Sequence, residues 1–243
     1  MNAPQDSFLS HLIELRNRVV KAVIALVVVF ACLSPWMSDI YDLLAQPMMA
    51  ALPEGTKMIA TGVITPFFVP VKVTLMAAFV IALPVILFQA WAFIAPGLYA
   101  HERRFALPLV VASTLLFIAG MAFCYFFVFQ TVFHFIASFA PKSITPAPDI
   151  EQYLSFVLTM FLAFGVTFEV PIAVILLVKT GIVTVQKLTE IRPYVIVGAF
   201  VIAAVVTPPD VASQIMLAVP MCILYEVGII VSRLIQRGET AKA

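Results

Sequence analysis

The side chains able to do chemistry are few and far apart. They are Glu14 in SHLIELRNR, Glu102 in PGLYAHERR, Glu169 in FGVTFEVPI, and a polar set of Asp210, Ser213 and Gln214 that follows a TPPD turn. Glu14 lies four residues before Arg18, a spacing that pairs the two on one helical face for about 0.3–0.5 kcal/mol. Read locally, that ion pair is its expected role. Glu102 opens a short charged stretch with Arg103 and Arg104, which by itself reads as a solvated loop. Glu169 is different, because apolar residues flank it on both sides. A charge at mid-bilayer costs about 2.5–3.5 kcal/mol on insertion scales, which makes such a residue a functional candidate. Pro171, two residues on, is expected to free nearby carbonyls for it. Gln214 either solvates the turn before it or reaches toward Glu169, which is placed in the outer or middle part of its span.

Covalent and metal chemistry find no support. Cys32, Cys124 and Cys222 each sit in an apolar run, and His11, His101 and His134 are scattered. No CxxC or Cys/His spacing occurs, so no metal site and no cofactor are expected. HExxH, GxSxG, an aspartyl pair and a phosphate-cradling loop are all missing, so an enzyme is not expected.

These residues need elements to hold them, and the composition says which. Of 243 residues, 63% are hydrophobic and 11% charged, with a mean hydropathy of +1.10. A water-soluble shell cannot be built from that supply, so much of the surface must face lipid. The net charge of +1 gives no attraction to nucleic acid. Spanning a bilayer as a helix takes about 20 apolar residues. Runs at 19–37, 71–95, 108–137, 153–178, 194–206 and 212–231 supply six candidates in a single all-α membrane domain. The first is expected to be retained, because no small-residue cleavage site follows it. The fifth and sixth are expected to be short. Joined by TPPD, they form either a re-entrant hairpin or two short spans that thin the bilayer.

Charge decides between those. Put the N-terminus, loops 96–107 and 179–193, and the C-terminal tail on one side. That side then carries 11 of the 14 Lys and Arg residues. The positive-inside rule makes it cytoplasmic and requires an even number of crossings, with both termini inside. Residues 39–52 of the outer loop repeat apolar side chains at helical spacing and read as a short amphipathic surface helix. So does the segment before the first span, with Phe8, Leu12, Leu15 and Val19 on one face. Pro84, Pro108, Pro171, Pro193 and Pro220 lie in or at the ends of spans and favour kinks, hence a cupped shape.

Taken together, HLIELRNR (His11–Arg18), MIATGVITPFF (Met58–Phe68), PVILFQAWAFIAPGLYAHERR (Pro84–Arg104), YLSFVLTMFLAFGVTFEVP (Tyr153–Pro171) and RPYVIVGAFVIAAVVTPPD (Arg192–Asp210) closely resemble the TatC family. TatC is the core membrane subunit of the twin-arginine protein translocase, and the resemblance runs from about His11 to Arg233. It implies a receptor in the bacterial cytoplasmic (inner) membrane. Such a receptor binds the twin-arginine signal peptides of folded precursors and organises single-span TatA- and TatB-type partners, as a homo-oligomer within the receptor complex. By motif, Glu14 and Glu102 correspond to the carboxylates that receive the arginine pair. Phe93 lies near that site, and Pro47 in the outer loop. Glu169 with Gln214 resembles a polar partner-docking cluster, and Ala204 and Val205 resemble a docking edge. Asp210 belongs to the structural outer turn. Planar guanidinium groups suit carboxylates in forked, charge-assisted pairs. The runner-up is a proton-coupled secondary transporter using Glu169, although no internal repeat of the transporter type appears.

Overall fold

Apolar runs with no water to bond their backbone must close their hydrogen bonds internally, and helices do so locally. The computed structural model describes residues 3–51, 58–94, 103–139, 147–207 and 210–240. Its elements in chain order are α1 (Ala3–Leu33), a 3-10 turn (Ser34–Trp36), α2 (Met37–Ala51), α3 (Thr65–Ile94) and α4 (Arg103–Phe123). A π-helical turn (Cys124–Val128) then leads into α5 (Phe129–Phe139), α6 (Ile150–Phe168), α7 (Val170–Lys179), α8 (Val185–Glu190), α9 (Arg192–Val206) and α10 (Val211–Thr240).

Among the described residues, five stretches are long and apolar enough to cross a membrane: Leu12–Gln46, Thr65–Phe93, Leu107–Phe135, Ile150–Lys179 and Val211–Gln236. The sixth apolar helix, α9, has 15 residues. At 1.5 Å per residue it reaches about 22 Å, less than the roughly 30 Å of a hydrocarbon core. The expectation of a short sixth helix is corrected, since α10 has 30 residues. Its apolar run ends near Val231, but nothing in SRLIQRGET breaks a helix, so the turns continue past it.

The prolines act unequally. Helices run on through Pro70, Pro84, Pro108 and Pro220. Pro193 starts α9, where its missing N–H is harmless. Among the described residues, Pro35 lies in the 3-10 turn between α1 and α2, and the fourth span is interrupted at Pro171. Pro171 offers no N–H to the carbonyl four residues back, and α6 gives way to α7 at Glu169. At the far end of α7, Gly181 adopts φ 73°, and its N–H and that of Thr180 close on Val178 and Leu176.

The main core lies where α5, α6, α9 and α10 meet. Phe129, Met160, Phe164 and Leu217 are fully buried there, with Phe129 stacked on Phe133 and tilted on Phe161. Glycines permit the tightest crossings: Gly120 faces the Phe164 carbonyl, Gly165 the Phe117 ring, and Gly228 the Pro171 backbone and Val174. By contrast α1 packs chiefly on α3 and buries none of its apolar window. The expected helix at 39–52 exists as α2, continuous with α1 through the 3-10 turn and packed on α3 and α5 through residues such as Ala45.

One end of the stack is tied by polar groups. Ile59 bridges Pro148 and Ile150 through its backbone. Asp149 caps α6, accepting from the Glu151 and Gln152 amides at 2.9 and 3.1 Å and from the Thr61 hydroxyl at 2.7 Å. Beside it Glu151 takes Lys72 at 3.0 Å and Thr65 at 3.1 Å. The Tyr153 hydroxyl donates to the Leu44 carbonyl at 3.0 Å, adding α2 to the clasp.

Two tests follow from this packing. Gly165→Ala drives a Cβ into the buried Phe117 ring and is expected to cost about 1–3 kcal/mol. Gly198→Ala meets open space in α9 and should instead stabilise by up to about 1 kcal/mol. Denaturation of the two variants in one detergent compares them directly. The second test concerns the clasp. The Thr61 hydroxyl and the Gln152 amide hold the Asp149 carboxyl below its ordinary range. A depressed folded-state pKa contributes stability that is complete above the ordinary aspartate value and fades as pH falls through the lowered one. The protection factor of the Thr61 amide, corrected for intrinsic exchange, should therefore fall in acid, and Asp149→Asn should flatten that dependence.

Candidate functional site

Two carboxylate environments and one exposed helical edge carry the functional potential. The first is Glu14. It sits in α1 with neighbours Leu12, Ile13 and Leu15 largely exposed. Arg18 reaches it at i,i+4, and both Nε (3.0 Å) and Nη2 converge on Oε1. The pair expected from the i,i+4 spacing is therefore present. A guanidinium and Glu14 already meet here, and among the described residues both contacts fall on Oε1, not Oε2. Phe93 stands half-buried in the last turn of α3 and makes contacts there. Glu102 lies outside the described residues.

The second environment is Glu169. It occupies the joint of α6 and α7, with 19 residues of α6 before it and 10 of α7 after. That places it nearer the Lys179 end than the outer-to-middle depth expected. Its backbone stays bonded across the break, N–H to the Val166 carbonyl and carbonyl to the Ala173 N–H, both at 3.0 Å. The freed-carbonyl expectation is not what satisfies its side chain. Instead Oε2 accepts from the Ser113 hydroxyl on α4 at 2.6 Å, and Ser113 accepts from the Trp91 indole on α3 at 2.9 Å. Ser113 is fully buried. The other oxygen, Oε1, is buried and has no hydrogen-bond partner among the described residues. Trp91 and Ser113 were missed in the sequence: an indole and a hydroxyl inside the apolar runs of α3 and α4 are the signal that could have pointed to them, but nothing in the sequence aligns them.

Gln214 does not join this cluster. Its amide donates to the Phe200 carbonyl of α9 at 3.2 Å. The Glu169 joint abuts Gly228, fourteen residues further along α10, which is about 21 Å of helical rise away. Gln214 thus ties the α9–α10 hairpin. Asp210 ties it too, capping α10 by accepting from the Ser213 amide at 2.7 Å. Ser213 Oγ is buried without a partner among the described residues. Pro47 is helical within α2, and its side chain falls outside the described residues.

The edge is α9. Ala199 and Ala203 pack inward, while Ala204 is exposed and Val205 is 81% exposed, with Val197 and Val201 also outward. At the other end of the hairpin Arg192 pairs with Glu226 at 2.5 Å, a cross-helix contact that the sequence analysis did not join. Tyr225 donates to the Leu188 carbonyl at 2.8 Å beside it, fastening α8. Among the described residues, no group of three His, Cys, Asp or Glu side chains could hold a metal ion.

Residues 10–220 match the family model of TatC, the Sec-independent protein translocase protein. Over 235 residues the chain is 53% identical to the Sec-independent protein translocase protein TatC of Haemophilus influenzae, covering 97% of this chain and 92% of that one. Over 225 residues it is 52% identical to the Escherichia coli K12 protein of the same name, covering 93% and 87%. A solved crystal structure described as the twin arginine translocase receptor TatC superposes with a TM-score of 0.80 at 38% identity, covering 92% of this chain and 98% of that one.

The hairpin cap offers a direct check. Asp210→Ala is expected to cost about 1 kcal/mol, whereas Asp210→Ser, which can still accept from the amide, should cost much less. Unfolding in detergent, monitored by circular dichroism, separates the two.

Proposed function

The chain belongs to the TatC family of Sec-independent protein translocase proteins, and on that premise we propose that it is the receptor that binds twin-arginine signal peptides at a cytoplasmic face formed by its basic end. As a family member it is a multi-pass membrane component of a protein translocase. In the proposed arrangement it crosses the bacterial inner membrane six times with both termini in the cytoplasm. Glu14 and Glu102 receive the two guanidinium groups, and Phe93 lines the approach.

One observation carries the reading: Glu14 already holds a guanidinium, that of Arg18, at the end richest in positive charge. A carboxylate that accepts one guanidinium has the geometry to accept another, with Oε2 still available for it. The ion pair is part-exposed, so exchanging its partner costs little. Two charge-assisted contacts at about 1.5–3 kcal/mol each suffice to prefer an arginine pair over lysines.

The partner side of the proposal uses the membrane face. TatA- and TatB-type single-span helices lie along the exposed edge of α9 at Ala204 and Val205, and Gln214 keeps that hairpin in shape. Glu169, with one oxygen unsatisfied, meets a polar group on such a helix. Copies of the chain assemble together within the receptor complex.

Charge-neutral substitution tests the receptor. Glu14→Gln and Glu102→Gln should each reduce cross-linking to a twin-arginine signal peptide by at least about tenfold. Full cross-linking in both variants would refute the assignment. For the membrane face, Glu169→Ala should weaken co-purification of the single-span partners more than signal-peptide binding, and the reverse order would rule out the docking role.

A further inference from the structure

We propose that Trp91 and Ser113 are positioning residues for Glu169, fixing Oε2 as a hydrogen-bond acceptor and leaving Oε1 as the one open valence for a docked polar group. This rests on the docking reading of Glu169 given above.

With no water at hand, Ser and Thr in apolar helices usually donate to the carbonyl four residues back. Thr74, Thr114, Thr131, Thr159 and Ser232 all do so here, at 2.8–2.9 Å. Ser113 does not. Its hydrogen leaves its own helix for Glu169, on a different one.

Trp91 supplies the reason for the direction. An indole N–H donates and never accepts, so at 2.9 Å Ser113 Oγ must be the acceptor of that contact. The single hydroxyl hydrogen is then left for Glu169 Oε2, at a length typical of a bond to a carboxyl group. For the carboxylate, which can only accept, the chain Trp91 to Ser113 to Glu169 therefore runs one way. It also joins three separate segments, α3, α4 and the α6–α7 joint, and it holds the carboxyl at the point where Pro171 has weakened the backbone.

A fixed direction has a chemical consequence. While Oε2 keeps accepting from Ser113, a proton taken up by the carboxyl goes to Oε1. The neutral acid thus offers an O–H, and the carboxylate a lone pair, at the same atom. That atom is buried and unpaired among the described residues. An incoming polar group reaches it by displacing the side chains around it, while Oε2 stays anchored. Without Ser113 the carboxyl is free to turn, and both oxygens compete for the same contact.

The test uses the full chain in detergent with a TatB-type single-span partner. The variants are Trp91→Phe, which keeps a ring and deletes the N–H, Ser113→Ala, Ser113→Thr, and Glu169→Ala as reference. Infrared difference spectra follow the Glu169 carboxyl stretch, identified as the band lost in Glu169→Gln. Cross-linking yield follows docking. Trp91→Phe and Ser113→Ala should each shift the band and lower the yield roughly threefold to tenfold. The double variant should do no worse than Ser113→Ala alone, because Trp91 acts through Ser113. Ser113→Thr should restore both readouts, and if its extra methyl prevents folding, Trp91→Phe carries the test. An unshifted band with normal yield in Trp91→Phe and Ser113→Ala, while Glu169→Ala still fails to dock, overturns the positioning role and leaves the docking role intact. Normal docking in Glu169→Ala overturns the docking role, and with it the proposal as stated.

Discussion

Everything in this fold answers to one constraint: inside a bilayer a polar group must find its partner within the protein. The backbone meets it by forming helices almost throughout the described residues. Hydroxyls meet it by bonding back onto their own helix. A carboxyl cannot, because it needs donors and a helix interior has none left to give. Glu169 therefore has to recruit from its neighbours, and the Ser113 and Trp91 contacts are the result. One oxygen remains unmet, which is the reason to look outside the described chain for its partner.

The same constraint sorts the prolines. At Pro84 and Pro220 the helix continues through the proline. At Pro171 the break coincides with the one membrane-embedded carboxyl of the span and with the close approach of Gly228. The joint is thus supported by backbone packing on one side and by a hydrogen-bonded chain on the other. Such an arrangement holds a functional side chain more firmly than a loop does.

The two ends of the stack are held differently. At one end, Asp149, Glu151, Thr61, Thr65 and Lys72 bind loop to helix through local caps and one exposed ion pair. At the basic end, the Arg192–Glu226 pair joins the two consecutive helices α9 and α10. Between them α9 is held almost entirely by α10, through Ala199 and Ala203, and keeps its other face open. A helix too short to cross alone, gripped on one side, is well suited to receive another helix on the side left bare.

Much of this was already written in the chain. The six apolar runs as helices, the α2 helix after the first span, the break beside Glu169 and the Glu14–Arg18 pair follow from periodicity, from proline and from i,i+4 spacing. All of these are properties of neighbours along the sequence. The length of α10 was missed because a helix can outlast its apolar stretch, and the π turn at Cys124–Val128 leaves no mark in residue type. The partners of Glu169 were hidden for a different reason. Which side chain faces it depends on the rotation and register of α3 and α4 against α6, set by side-chain packing and by glycine crossings such as Gly165 on Phe117. Gln214 was drawn toward Glu169 by residue type alone, and the rise along α10 separates them. The sequence by itself determined which segments enter the membrane and which residues are chemically costly there, since both depend on local polarity. Tertiary structure alone decided which of those residues meet, because contact between helices depends on rotation, depth and crossing, none of which a linear pattern encodes.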